Sequence, residues 1–262
     1  MDGPIARRVP GRIRGWLERR SYLPGTEPVA LDELVSPLRY DILVRADHFT
    51  FLDQHVGLAE RDPDAYVRLA LHHSYFTWYT TVALPRYRPR EHADDQLRLA
   101  AFRRRVLDAV GLWRSFKAAG FDPRYPVTLR TATPGAATPT GKVVRRPFHA
   151  GDGCHRLALL VAAGAQTLAP AWYRVRSDPV SSLIDNTSVL IGSLGLGSAA
   201  YYAFLARGYG APPSADRAAI VDHVRAHAPD RLAELEQVMA VDERQLEAAA
   251  RRSARGPDSH TN

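Results

Sequence analysis

With 262 residues, 45% hydrophobic and 24% charged, the chain has ordinary globular composition, which excludes disorder, a collagen repeat or a coiled-coil rod as its dominant state. Of its 35 basic residues only Lys117 and Lys142 are lysines, and the net charge of +7 favours anionic partners: phosphates, nucleotides, nucleic acid or an acidic membrane face. One cysteine, Cys154, excludes an internal disulfide and a zinc site of two or more thiolates, so a reducing, cytoplasmic setting is expected.

Residues 1–28 read as a basic N-terminal arm, with prolines at 4, 10, 24 and 28 and no apolar run long enough for a signal peptide. A short amphipathic helix over Ile13–Leu23, with Ile13, Trp16 and Leu17 on one side, is its one structured option. Helical periodicity then governs 29–120. Ile42, Leu43, Phe49, Phe51 and Leu52 form a buried stripe, and Tyr66, Leu69, Ala70 and Tyr75 continue it beyond the break at Asp62-Pro63-Asp64. Within this region Asp41 and Arg45 stand four apart and read as a surface ion pair, whereas Arg39 and Asp41 do not share a helical face. The run from His72 to Tyr79 reads as packing, because adjacent histidines on a helix face different ways. A loop over Leu84–Asp95 precedes a helix over Asp95–Ala119, which Gly120 ends.

The texture changes at Phe121. Extended runs at Pro126–Thr131, Val143–Phe148 and Ala171–Arg176 surround a turn-rich loop at Thr133–Lys142 and an apolar helix that opens near Cys154 and closes at Gly164. Beyond this 121–186 core, 187–252 reads as C-terminal helices and 253–262 as a disordered tail. The weakly polar stretch Ser188–Ala206 is diluted by glycines, serines and tyrosines, so it reads as a buried helix capped at Asn186, Thr187 or Ser188 and not as a membrane span. The fold expected is α+β, with a small mixed sheet-and-helix core flanked by helices on both sides in sequence.

Chemistry concentrates in Gly151-Asp152-Gly153-Cys154-His155-Arg156. Glycines let the backbone approach a ligand, and a helix N-terminus at Cys154 directs unpaired N–H groups and the positive end of its dipole to the same spot. Gly151, Gly153, Cys154, His155 and Arg156 are therefore candidate phosphate ligands, with Asp152 a candidate Mg²⁺ ligand and Asp152, Cys154 and His155 the candidate catalytic groups. Cys154 fits either a nucleophile, its pKa lowered by the helix end and His155, or a small residue filling a turn. Asp152 fits either a helix N-cap or a ligand contact. Thr140 and Lys142, just before the second extended run, are further candidate phosphate contacts, with a hairpin turn at Gly141 the other reading of this segment. Asp185, Asn186 and Thr187 fit a helix cap or a substrate or metal contact.

The segment Asp152-Gly153-Cys154-His155-Arg156-Leu157-Ala158, between extended runs, resembles the ParB/sulfiredoxin superfamily over about residues 121–177. Gly153-Cys154-His155-Arg156 is the string that sulfiredoxins use, with a reactive cysteine and a turn that binds ATP. The Asp-Gly before a His-Arg pair is similar to the ParB-related free serine kinases; in ParB proteins the equivalent box binds CTP. What the resemblance implies is a nucleotide-binding core with ATP or another nucleoside phosphate and Mg²⁺, and a phosphotransferase acting on a small hydroxyl-bearing metabolite. The alternatives it leaves are a nucleotide-switched nucleic-acid-binding protein, which the basic arm would serve, and sulfiredoxin-type thiol chemistry through Cys154. A second arginine-rich box and a helix-turn-helix, expected of a partitioning ParB, are not identifiable, and a sulfiredoxin has glycine where Asp152 stands.

Overall fold

The structure, a computed structural model, describes residues 22–35, 39–132, 148–180, 197–212 and 216–240. In chain order these form β1 (Tyr22–Pro24), β2 (Val29–Ala30), α1 (Leu31–Leu34), α2 (Tyr40–Arg61), α3 (Pro63–Ala70), α4 (Ser74–Trp78), a π-helical turn (Tyr79–Ala83), α5 (Leu84–Tyr87), α6 (Pro89–His92) and α7 (Asp95–Ala119). There follow β3 (Val127–Ala132), β4 (Phe148–Asp152), α8 (Cys154–Ala162), β5 (Thr167–Leu168), a 3-10 turn (Pro170–Trp172), β6 (Tyr173–Val180), α9 (Ser198–Gly208), α10 (Arg217–His227), a 3-10 turn (Pro229–Arg231) and α11 (Leu232–Ala240). The fold is α+β.

Four strands make the main sheet in the order β1-β6-β3-β4, with β3 and β6 parallel and the outer pairs antiparallel; β2 and β5 form a separate two-stranded ribbon. Helix α8 lies between β4 and the strands that follow it, and its run Leu157-Ala158-Leu159-Leu160 is buried throughout. Its principal helical partner is α2, whose Ile42, Leu43, Val44, Ala46, Phe49 and Leu52 are also buried. One continuous apolar cluster thus joins the N-terminal helices, the sheet and the C-terminal helices. The helical front is half of the same core as the sheet, and no separate unit covers it.

Several local signals decide where elements begin and end. Asp62 accepts the Ala65 N–H at 2.9 Å with Pro63 at the first helical position, so the 62–64 break starts α3 as well as ending α2. Asp94 accepts the Leu97 N–H at 2.9 Å at the head of α7, and Gly120, at φ 72°, ends it. The segment expected as a loop at 84–95 is largely helical, because Pro85 and Pro89 fall in the first turn of α5 and α6, where a missing N–H costs nothing. Residues 22–24, assigned to the arm, are instead an edge strand on β6, with Tyr22 opposite Arg176 and Pro24 opposite Arg174. Residues 1–21 of the arm lie outside the described residues.

Two strand readings also change. Gly151 and Asp152 belong to the end of β4, and the turn is Gly153 alone. The run at 171–176 begins with a 3-10 turn, and its strand extends through Val180. The C-terminal helix is described from Ser198, with Gly197 at the N-cap position; the cap expected at 186–188 lies outside the described residues. Among the described residues no helix is long and apolar enough to cross a membrane.

Candidate functional site

Strand β4 delivers the chain to Gly153, whose φ of +93° and ψ of 22° are left-handed. A Cβ there would also sit 3.2 Å from the Val127 Cα, so both conformation and space demand glycine. Asp152 accepts the Gly153 N–H through Oδ1 at 2.6 Å, closing its own turn without capping α8. Helix α8 has no side-chain cap, so its first-turn N–H groups remain available at the dipole's positive end.

Around this helix end gathers a set of arginines brought from distant parts of the chain. Arg39, 4% exposed, stands just outside α2 with φ −101° and ψ 51°. From there it forks onto Asp41, Nε to Oδ1 at 2.9 Å and Nη2 to Oδ2 at 3.1 Å, a pairing that two residues within one helix do not make. Its Nη1 donates to the Ala150 carbonyl at 2.9 Å and Nη2 to Cys154 Sγ at 3.2 Å, so one guanidinium ties the head of α2 to β4 and α8. Asp41 also receives Arg45, whose Nη1 lies 3.4 Å from Oδ2. This pair is mostly buried, with side chains 12% and 18% exposed, and is not the surface pair that the spacing suggested. Burial opposes the Asp41 charge, but Arg39 and then Arg45 outweigh it and hold its pKa down at about 2. Burial likewise opposes the Arg39 cation, and Asp41 overrides it, raising that pKa further above neutrality.

His155 is gripped from two sides. Arg45 Nε donates to His155 Nε2 at 3.1 Å, and Arg105 Nη2 meets the same nitrogen. Burial, then Arg45 and Arg105, push the imidazole pKa well below its usual value. A ring that accepts at Nε2 between two cations is neutral, with its proton on Nδ1. As a phosphate ligand it would act through the guanidiniums it organises, because it carries no charge of its own. Cys154 departs from expectation in the same direction. Burial pushes its thiol pKa up, and Arg39 does not reverse this, so neither the helix end nor neutral His155 makes it a thiolate. Arg156 spends donors on the Tyr125 carbonyl and, at 2.7 Å, the Pro126 carbonyl, with Asp152 Oδ2 3.9 Å from its Nη2. It fixes the entry to β3 as well as facing the site.

These groups line a cavity of about 440 Å³ walled by α8, α7 and the α4 to α5 segment, with its π-helical turn. Arg45, Arg88, Arg104, Arg105 and Arg156 line it, against two carboxylates, Asp108 and Asp152. Glu91, outside the lining, takes Arg88 at 3.0 Å and Arg104 at 2.9 Å, and Asp41 takes Arg45. Arg105 bonds only to uncharged groups, the Tyr75 hydroxyl at 3.2 Å and His155; it has no carboxylate partner among the described residues. Trp78, 3% exposed, lies under the Arg45 guanidinium at 4.4 Å, and its buried indole N–H has no partner among the described residues. The arrangement presents surplus fixed positive charge, with N–H donors, to whatever enters.

Among the described residues no three His, Cys, Asp or Glu side chains gather as a metal cage would require. Arginines cannot ligate a cation, so the donors suit Mg²⁺ only as an ion carried on a ligand's phosphates, with Asp152, 73% exposed, as a carboxylate contact. His73 pairs with Asp47 at 3.3 Å and caps α4 by accepting the Tyr75 N–H, so the 72–79 run does pack and cap.

Of the residues singled out from sequence, Asp152, Gly153, Cys154, His155 and Arg156 line the cavity; Gly151 lies just behind it, beside Arg130. Thr140, Lys142, Asp185, Asn186 and Thr187 lie outside the described residues. Sequence reasoning missed Arg39, Arg105, Asp108 and Trp78, and took Asp41 and Arg45 for surface. Comparison of the chain with protein-family models, with curated proteins and with solved structures finds no match.

Proposed function

We propose that the chain binds the phosphates of a nucleotide in the arginine-lined cavity and transfers the terminal phosphoryl group to a hydroxyl acceptor. The observation that carries this reading is Arg105, a cation beside an uncapped helix N-terminus, whose hydrogen-bond partners among the described residues are all neutral. Arg105 and Arg45 would hold phosphate oxygens in place of the His155 nitrogen, and the first-turn N–H groups of α8 would complete the cradle. The resemblance of Asp152–Ala158 to the ParB/sulfiredoxin superfamily points to the same ligand class. Mg²⁺, with Asp152 and phosphate oxygens around it, would neutralise charge that builds on the β- and γ-phosphates. The protein's own contribution is to position: Arg45 held by Asp41 and Arg105 held by the Tyr75 hydroxyl need no reorganisation when charge shifts between the oxygens.

Isothermal titration with ATP, CTP and GTP in the presence of Mg²⁺ tests binding, and ³¹P NMR tests transfer. Arg105→Ala is expected to weaken binding of the preferred nucleotide by roughly 10- to 100-fold, the value of one charge-assisted contact. Arg103→Ala, which removes an exposed partner of Asp64 on the same helix, should leave it unchanged. Equal affinity in both variants, or no binding of any nucleotide, would refute the proposal.

The thiol alternative predicts something separate. Because burial favours the protonated sulfur, Cys154→Ser is expected to retain transfer activity within about threefold, the cost of one modest hydrogen-bond change. A loss of a hundredfold or more would instead return the chemistry to Cys154.

A further inference from the structure

A second cavity, of about 500 Å³, adjoins the first. It opens between the latter half of α7, the segment following Gly120 and α8, and it shares a wall with the arginine cavity formed by Arg105, Asp108, His155 and Arg156. Its own lining is of another kind. Leu112, Phe116, Phe121 and Leu159 face it, and the Phe121 ring is held by stacking on Trp172 at 4.9 Å and 19°. One wall therefore suits oxyanions and the other suits hydrocarbon.

Asp108 stands at the seam. It lies one helical turn beyond Arg105 on the same face of α7, it lines both cavities, and it has no hydrogen-bond or ion-pair partner among the described residues. Resting on the phosphoryl-transfer reading above, we propose that this second cavity is the acceptor site, that it takes an alcohol carried on an apolar ring or branched hydrocarbon body, and that Asp108 receives the alcohol's proton. Beyond the shared wall a polyol or a free amino acid would find only Ser115 and Tyr125, because Asp122 is held by Arg124, and along Leu112, Phe116 and Leu159 it would forfeit hydration on entry. An anionic acceptor would compete with the phosphates for Arg105 and Arg156. An uncharged, ring-bearing alcohol uses both surfaces: its body covers the apolar wall and its hydroxyl reaches the seam.

The step balances without a further reactant. The alcohol oxygen forms a bond to the γ-phosphorus as the bond from that phosphorus to the β,γ-bridging oxygen breaks. The nucleoside diphosphate leaves with the electron pair of that bond, and the hydroxyl proton passes to Asp108. Asp108 is thus a catalytic residue, whereas Leu112 and Phe116 select the acceptor.

Saturation-transfer NMR with 2-phenylethanol and with glycerol, each with and without ATP and Mg²⁺, tests the assignment alongside ³¹P NMR for the phosphorylated alcohol. Phenylethanol is expected to give a signal that persists when ATP is bound, and glycerol to give at least tenfold less. Leu112→Glu, at a position 38% exposed and so tolerant of the change, should abolish the phenylethanol signal and leave ATP affinity within twofold. Asp108→Asn should keep both ligands and lower transfer to phenylethanol by a hundredfold or more. Displacement of phenylethanol by ATP would assign the second cavity to the nucleotide itself and overturn the proposal. Equal signals from glycerol, or ATP binding with no phenylethanol signal, would overturn it while the phosphate reading stands. Failure of ATP, CTP and GTP alike to bind would remove that reading and this one together.

Discussion

Replacing Arg39 with methionine is expected to cost about 3–5 kcal/mol of folding stability, the range for removing one partner of a buried charge pair. Arg39 is 4% exposed and makes four contacts at once: two to the Asp41 carboxylate, one to the Ala150 carbonyl in β4 and one to Cys154. Methionine fills much of the volume but strips the Asp41 carboxylate of its forked guanidinium and leaves a buried carbonyl without its donor. Urea unfolding at pH 7.5 measures the loss as a lower midpoint at unchanged slope. The double variant Arg39→Met/Asp41→Leu should recover much of it, because the stranded charge goes with its partner. A cost below about 1 kcal/mol for the single variant, within the range of exposed pairs, would show that the fork does not hold β4 and α8 to α2.

The second large effect is acid sensitivity beginning near neutrality. Three imidazoles are held neutral in the folded protein, His48 and His149 buried and His155 half-buried. Burial, then His73, brings His48 down to about 3; burial, then Arg39, brings His149 down to about 4; and burial with Arg45 and Arg105 holds His155 well below its usual value. In the unfolded chain each titrates near 6.5, so between about pH 6.5 and 4 the unfolded state binds up to three more protons than the folded state. Stability therefore falls as pH falls through that window, at up to about 4 kcal/mol per pH unit, enough to consume most of the 5–15 kcal/mol typical of a domain. Asp41 works lower on the scale. With its folded pKa at about 2, its contribution is intact above the ordinary carboxylate value and is lost only as pH falls from there toward 2. Urea midpoints at pH 7.5, 6.5, 5.5 and 4.5 measure the slope, and His149→Gln should reduce it by about one proton's worth. Flat stability between pH 7 and 5 would contradict the neutral state of all three rings.

What could be read from the chain follows from distance along it. The α7 helix is announced by its own periodicity and by Gly120, and the α2 to α3 break by Asp62-Pro63; both are local signals. The Gly153–Arg156 turn was legible for the same reason, since glycine, cysteine, histidine and arginine are consecutive. Strand β1 was not, because three residues with an ordinary proline declare themselves only by pairing with β6, and β5 is two residues long. The prolines at 85 and 89 signal a loop when counted and a helix start when placed in the first turn. The site's cations were hidden by a different cause. Arg39 and Asp41 fail the helical pairing rule only if both are helical, and Arg39 sits one residue outside. Arg105 and Asp108 are two more polar positions on an arginine-rich helix until α8 is laid against it.

The route by which Arg39 and Arg45 reach Cys154 and His155 has a kinetic meaning. These contacts close loops of about 110 residues, an ordering cost near 4 kcal/mol by chain statistics beyond any constant term. The Asp41–Arg45 pair, by contrast, spans a single helical turn and forms as soon as α2 does. The charges are thus expected to enter the interior already paired, with the helix that carries them docking on β4 and α8 late in a slow, long-range assembly. The two cavities come into being at that docking, so an occupant of either would bear on how fast the chain unfolds and hardly at all on how fast its early structure forms.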